Sequence, residues 1–245
     1  MRWKCKCAYD GTSFYGWQSQ EGGNTIQDIL EETLKNIFKE PVRIHGSSRT
    51  DSGVHAREQV FHFDADWAHS ESELLGAMST SLVQGLQVYD LQKVDDDFHA
   101  RFSAKGKVYE YTIYLGYASP FDVRYCWSYA GKSLSVDRMK EAARCFLGKH
   151  DFSAFSVRFD KSSNENPIKE LNRLDVVVEG KWIRIKTEGS GYLYKMVRML
   201  VGALVEVGRN NLDSNDLENM LTSGIRTKNI TVAPAKGLFL EHVYY

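Results

Sequence analysis

The sequence has little that would mark a cofactor, a membrane or a secreted fold. Four prolines and no low-complexity stretch in 245 residues leave little space for a long flexible linker. The four cysteines, Cys5, Cys7, Cys126 and Cys145, are scattered. Cys5 and Cys7 share one face of an alternating run. Without a second pair they read as small buried hydrophobes rather than metal ligands. The net charge is −1, so any anionic partner must be held by a local patch and not by the overall field. Gly22-Gly23 lacks the spacing and the following lysine of a phosphate-binding loop, and no nucleotide cofactor is indicated. His45, His55 and His62 match no zinc signature; no metal is expected, and His55 is expected to hydrogen-bond near Asp51. The most apolar run, Tyr192 to Val207, contains Lys195, Arg198 and Glu206 and is too short and too charged to span a bilayer, so no membrane partner is expected. Met1-Arg2-Trp3-Lys4 has no apolar core of a signal peptide, which makes the cytoplasm the expected compartment.

What is present is the pattern of an ordinary globular protein, with 42% hydrophobic and 26% charged residues, long enough for one large or two small domains. Trp3, Cys5, Cys7 and Tyr9 alternate as a half-buried strand, followed by an aromatic, glycine-punctuated loop from Asp10 to Gln18. Ile26, Ile29, Leu30, Leu34, Ile37 and Phe38 repeat at helical spacing, with Thr25 and Asp28 as a cap and Pro41 beyond the end. A strand is expected over Arg57 to Phe63, a helix over Glu71 to Val83 and a strand over Leu86 to Val94. The second half offers a strand through Tyr109, Tyr111, Ile113 and Leu115, and a helix from Val136 to Leu147 closed by Gly148. A hairpin of Leu171–Val178 with Trp182–Lys186, an apolar helix from Tyr192 to Val207 and a last strand from Leu238 to Tyr244 complete it. Each half reads roughly βαββαβ. The expected fold is therefore α+β: two ferredoxin-like (RRM-like) halves, residues 1–104 and 105–245, with largely antiparallel sheets and a central cleft for a ligand.

Chemistry concentrates in Ser47 to Ala56, SSRTDSGVHA, between two strand-like runs. Asp51 sits on a tight turn two residues after Arg49. Such a carboxylate is a candidate nucleophile or general base, or an ordinary turn cap beside an arginine in solvent. Arg198, inside an apolar helix, needs a carboxylate partner or a path to the surface. Tyr109, Tyr111 and Tyr114 lie among His99, Arg101, Lys105 and Lys107, an arrangement that suits stacking on bases and contact with phosphates, or simply a half-buried strand.

Five segments in order, YDGTSFYGWQ (9–18), SSRTDSGVHA (47–56), DDFHARFSAKGKVYEY (96–111), YLYKMVRMLVGALVEVG (192–208) and GLFLEHVYY (237–245), together resemble the TruA-type tRNA pseudouridine synthases nearly end to end. The resemblance implies isomerisation of uridine to pseudouridine in the anticodon stem-loop of tRNA, at roughly nucleotides 38–40, on a base that leaves the stack to react. The N1–C1′ bond breaks and a C5–C1′ bond forms, with no cofactor required. It also implies a homodimer. Asp51 matches the catalytic aspartate, which would attack the sugar or the base or take a proton from the ribose. Arg49 matches the residue that fills the space of the flipped base, and Tyr109 the tyrosine that stacks on it. Arg198 matches the cation that pairs with the aspartate, and Leu238 an apolar neighbour of the base. Ser48, Lys195 and Met199 depart from the usual glycine, histidine and asparagine, and Ser81 to Gly85 replaces the usual Asn-x-x-Leu-Pro stretch. Two other readings have less behind them. An RNA-binding protein without activity has no need of Asp51, and a hydrolase acting at C1′ needs a second carboxylate.

Overall fold

The structure, a computed structural model, describes residues 1–131, 133–157 and 166–245. The chain divides into two compact units, Met1–Lys105 with Phe239–Tyr245, and Gly106–Leu238. Both are mixed α+β with mostly antiparallel sheets.

The first unit runs β1 (Arg2–Tyr9), α1 (Ile26–Phe38), β2 (Ile44–Gly46), β3 (His55–Asp64), α2 (Glu71–Thr80) and β4 (Leu86–Val94). β1 lies between β3 and β4, antiparallel to both, with Cys5 opposite Phe61. β3 carries two short partners along its other edge. β2 pairs antiparallel with its C-terminal half, and Phe239–Leu240 of β10 (Leu238–Tyr244) pairs parallel with His55–Ala56. Trp3, Cys5, Cys7 and Tyr9 are buried on one face, as their alternation requires, and burial pushes both thiols up. α1 buries Ile26, Leu30 and Leu34, one per turn, each contributing roughly 1.5–3 kcal/mol. Thr25 caps it by accepting the Asp28 N–H, and Lys39 in the left-handed region ends it. α2 starts at a capping box between Ser70 and Glu73 and stops at Thr80, three residues before the expected end.

The second unit contains β5 (Gly106–Leu115), β6 (Trp127–Tyr129), α3 (Val136–Ala143), β7 (Gly148–Asp151), β8 (Ile168–Glu179), β9 (Trp182–Gly189), α4 (Met196–Gly208) and α5 (Ser214–Ser223). Its sheet runs β6-β5-β9-β8-β7; β5 and β6 pair parallel, and β5-β9, β9-β8 and β8-β7 antiparallel. Here the sequence pattern misleads in three places. The helix expected to close at Gly148 ends at Ala143 and tightens into a 3₁₀ turn over Arg144–Phe146; Gly148, at φ +90°, opens β7 instead. The apolar helix begins at Met196 rather than Tyr192, because the Tyr192 hydroxyl is held 3.1 Å from Thr187 Oγ1 and 3.4 Å from Lys107 O, on β9 and β5. α5 was not expected, although Asp213 and Asp216 form a capping box at its start.

α4 is the core helix of the unit. Every residue in it is buried except Arg198. The Ile230–Ala233 segment lies so close along it that a Cβ on Gly202 would stand 1.8 Å from Thr231 O. Among the described residues, no helix is long and apolar enough to cross a membrane.

Candidate active site

Beyond β2 the chain leaves the edge of β3, and its next residues are tied down alternately. Ser47 N–H donates to Val60 O at 2.8 Å, extending the ladder by one rung. At Ser48 the side-chain amide of Gln59 takes over: Oε1 accepts Ser48 N–H at 3.2 Å and Ser47 Oγ–H at 2.7 Å, and Nε2 donates to Ser48 O at 2.8 Å. Thr50 O accepts Trp17 N–H at 3.1 Å, and Thr50 Oγ1 lies 2.8 Å from the Tyr9 hydroxyl. Ser52 Oγ donates to Phe14 O at 3.3 Å. The loop then closes with Val54 N–H donating to Asp51 O at 3.1 Å, over Gly53 at φ +77°. Ser48 and Thr50 are buried, whereas Arg49 is exposed and Asp51 half-buried. Arg49 and Asp51 are thus carried on a loop pinned on both sides of each.

The partner surface is the loop from Asp10 to Gln18. Asp10 Oδ1 accepts from Thr12 N–H (3.0 Å) and Thr12 Oγ–H (2.6 Å), while Asp10 N–H donates to Gly85 O at 2.9 Å. Gly16 has φ +85°, and a Cβ there would stand 2.5 Å from Thr50 O. Only glycine lets this loop meet the Asp51 loop. His55 is fully buried and stacks on Phe239 at 4.5 Å. Its Nδ1 lies 3.0 Å from Gly11 N and 3.2 Å from Asp10 Oδ1, so the ring ties the Asp10–Gln18 loop to β3.

The remaining sequence candidates belong to the second unit. Tyr109 is buried on β5 opposite Thr187 and meets the Tyr192 ring edge-on, with centroids 5.1 Å apart. Burial pushes the Tyr192 phenol up. Arg198 is half-buried near the start of α4. Its Nε donates to Ala233 O at 2.7 Å, and its own carbonyl accepts Ala233 N–H at 3.1 Å, so the head is oriented by backbone. Leu238 is buried; it follows Gly237, where a Cβ would stand 2.7 Å from the Tyr111 ring.

His45, His62 and His99 form a cluster. His45 lies 5.0 Å from His62, His62 4.6 Å from His99, and His45 5.6 Å from His99. His62 Nδ1 accepts Ala100 N–H at 3.1 Å, and His99 Nδ1 accepts from Arg101 and Phe102. Burial, helped by the two neighbouring imidazoles, lowers His62 to about 4.

Against this geometry stand the comparisons with known proteins. The sequence profile described as tRNA pseudouridine synthase matches residues 7–103 and 142–245. The chain belongs to the tRNA pseudouridine synthase family. Its similarity to tRNA pseudouridine synthase A 2 of Clostridium perfringens is 39% identity over 242 residues, 99% of this chain and 98% of that protein. It is 38% identical over 247 residues to tRNA pseudouridine synthase A of Bacillus licheniformis, covering all of this chain and 99% of that one. A Staphylococcus aureus protein of the same name is 39% identical over 245 residues, with 100% and 92% covered.

As a tRNA pseudouridine synthase, the protein is an isomerase that acts on tRNA. The departures noted in the sequence now have places. Ser48 is buried, and its hydroxyl finds no hydrogen-bond partner among the described residues. Lys195 adopts a left-handed conformation ahead of α4, with Nζ 4.9 Å from the Tyr194 ring. Met199 is fully buried on α4, its Sδ accepting from an Arg226 guanidinium nitrogen at 3.7 Å. Gly85, at the end of the atypical Ser81–Gly85 stretch, holds Asp10. Sequence reasoning missed Gln59 altogether. Its signal was faint: a polar residue on β3 facing the same side as Phe61 and Phe63, where the alternation calls for an apolar one.

Proposed function

We propose that this synthase forms pseudouridine in the anticodon stem-loop of tRNA, at roughly nucleotides 38–40, with Asp51 as the catalytic carboxylate acting on a flipped-out base. Arg49 occupies the space the base leaves, Tyr109 stacks on the base, Leu238 packs beside it, and Arg198 contributes positive charge to binding the target nucleotide. The reaction breaks N1–C1′, turns the uracil, and joins C5 to C1′. The C5 proton leaves to solvent and N1 regains one, so atoms balance without a cofactor. The observation that carries this reading is the Ser47–Val54 loop of a family member: its backbone is pinned at Ser48, Thr50 and Ser52, while Arg49 stays exposed and Asp51 half-buried.

The finer architecture belongs to the same reading. Residues 1–104 form one ferredoxin-like, RRM-like half that carries the Asp51 loop. Residues 105–245 form a second that completes the RNA-binding surface and lends its last strand to the first. The β1-α1-β2-β3-α2-β4 order, with β1 central between β3 and β4, supports the assignment for the first half. The protein works as a homodimer in the cytoplasm.

Tritium release from tRNA transcripts labelled at uridine C5 tests the function, because product and substrate are isomers and intact mass is blind to the change. The parent should release label. Asp51→Asn should lose turnover by on the order of a thousandfold or more while tRNA affinity stays within about threefold. Substantial turnover by Asp51→Asn removes Asp51 from its role. Normal tRNA binding without label release by the parent favours an RNA-binding protein that lacks this activity.

A further inference from the structure

The side chain of Gln59 does the work of a peptide group. β2 pairs with β3 as far as Gly46 opposite Phe61, and Ser47 N–H still reaches Val60 O. The lower end of the same β3 edge, His55–Ala56, belongs to β10. Between these two partners the chain must turn away toward Arg49, and there the Gln59 amide extends the ladder by one residue. It satisfies both the N–H and the C=O of Ser48 and takes the Ser47 hydroxyl as well. Gln59 is fully buried, and Cys7 of β1 lies opposite it. Buried peptide groups that lose such partners do not keep their place.

We propose that Gln59 is a positioning residue for the chemical step, setting where Arg49 and Asp51 stand by clamping the peptide immediately before them. The proposal rests on Asp51 being the catalytic carboxylate. A misplacement of about 1 Å at a reacting group costs on the order of a hundredfold in rate, so the clamp acts on turnover rather than on the grip on tRNA.

Only a group with an acceptor and a donor side by side can replace the amide. A protonated carboxyl is such a group: its carbonyl oxygen accepts from Ser47 Oγ–H and Ser48 N–H, and its O–H donates to Ser48 O. An ionised carboxylate has no donor and sets a lone pair against Ser48 O. Gln59→Glu therefore makes the clamp proton-dependent, and burial moves that carboxyl up into the range of an assay. The titratable groups nearby are Tyr245, whose hydroxyl donates to Ala100 O at 2.7 Å and is pushed up by burial, Glu58 beside Gln59 on β3, Cys7 opposite on β1, and Arg49. All are shared with the parent, so the ratio of variant to parent isolates the clamp.

The experiment is single-turnover pseudouridine formation and tRNA binding by parent and Gln59→Glu from about pH 5.5 to about pH 8.5, with melting temperatures alongside. The rate ratio should be within about threefold of one at the acid end and fall at least about thirtyfold toward the alkaline end, while tRNA affinity stays within about threefold. A flat ratio overturns the proposal, as does a loss that falls on affinity alone. Should Gln59→Glu melt below the assay temperature, Ser47→Ala removes one bond of the clamp without a large cavity. It should slow turnover roughly three- to tenfold at unchanged affinity, and unchanged turnover overturns the clamp. Asp51→Asn in the same assay separates the two readings: its activity would overturn the catalytic assignment whatever Gln59→Glu does.

Discussion

The loop from Ser47 to Val54 in the first unit and the loop from Gly116 to Cys126 in the second are both ordered, but their hydrogen bonds go to different places. In the first, Ser48, Thr50 and Ser52 are tied to Gln59, Trp17 and Phe14, residues 11 to 38 positions away. In the second, Ser119 Oγ donates to Asp122 Oδ2, Val123 and Asp122 N–H donate to Ser119 O, and Ser128 Oγ bridges Gly116 O and Ala118 N–H. Those bonds span three to twelve positions. The first loop borrows its shape from the fold; these bonds of the second are local, and Tyr117 and Phe121 are 87% and 88% exposed. A loop shaped by distant contacts places its side chains to the accuracy of the core, which a catalytic carboxylate requires.

The sharpest way to break the comparison is to add one methyl group to each loop's setting. Gly16→Ala drives a Cβ into Thr50 O at 2.5 Å from a positive φ, so stability should fall by about 2–4 kcal/mol and turnover more than tenfold. Gly116 also has a positive φ, but its nearest neighbour for a Cβ is 3.9 Å away. Gly116→Ala should cost about 1–2 kcal/mol of backbone strain and leave turnover unchanged. Denaturant melts and label release measure both; equal effects on turnover would erase the distinction.

The second test removes charge without touching the backbone. Arg49→Ala should lower kcat/KM about a hundredfold with the melting temperature unchanged, since its side chain is exposed and its backbone neighbours do the holding. An accompanying loss of stability would mean that Arg49 itself supports the loop.

The third concerns pH. Burial lowers His62 on β3 to about 4 from the ordinary 6.5, so the fold favours the neutral ring. Between those values the unfolded chain binds more protons than the folded one. The stability this contributes is present above about pH 6.5 and is lost as pH falls toward 4. Urea melts should weaken by roughly 1–3 kcal/mol over that window. In His62→Gln, which still offers Ala100 N–H an acceptor, the slope should be shallower.

The smallest effect is expected at Ser48, whose buried hydroxyl has no partner among the described residues, in the one dipeptide that Gln59 otherwise satisfies. Ser48→Ala should raise stability by up to about 1 kcal/mol and leave turnover within about twofold. A destabilised variant would show that the hydroxyl is engaged after all.

Much of this was legible in the residue pattern because it rests on short-range rules. The Thr25 cap and the Ile26–Leu30–Leu34 stripe define α1, the alternation of Trp3 to Tyr9 defines β1, and the Gly180 turn sets the β8–β9 hairpin. Ser52-Gly53 likewise marked the turn that carries Asp51. Three-residue strands such as β2 are too short to leave a period. The shortened start of α4 depends on a Tyr192 hydroxyl bonded to two other strands, which no window of sequence around it contains.

The sequence by itself determined the family and the α+β class, because periodicity, turn chemistry and ordered motifs are properties of neighbouring residues. Tertiary structure alone decided how Arg49 and Asp51 are presented. That depends on Gln59, Thr50 with Trp17 and Tyr9, and Gly16, which come within hydrogen-bonding or contact distance of the loop only once the strands have paired and the two loops have packed together.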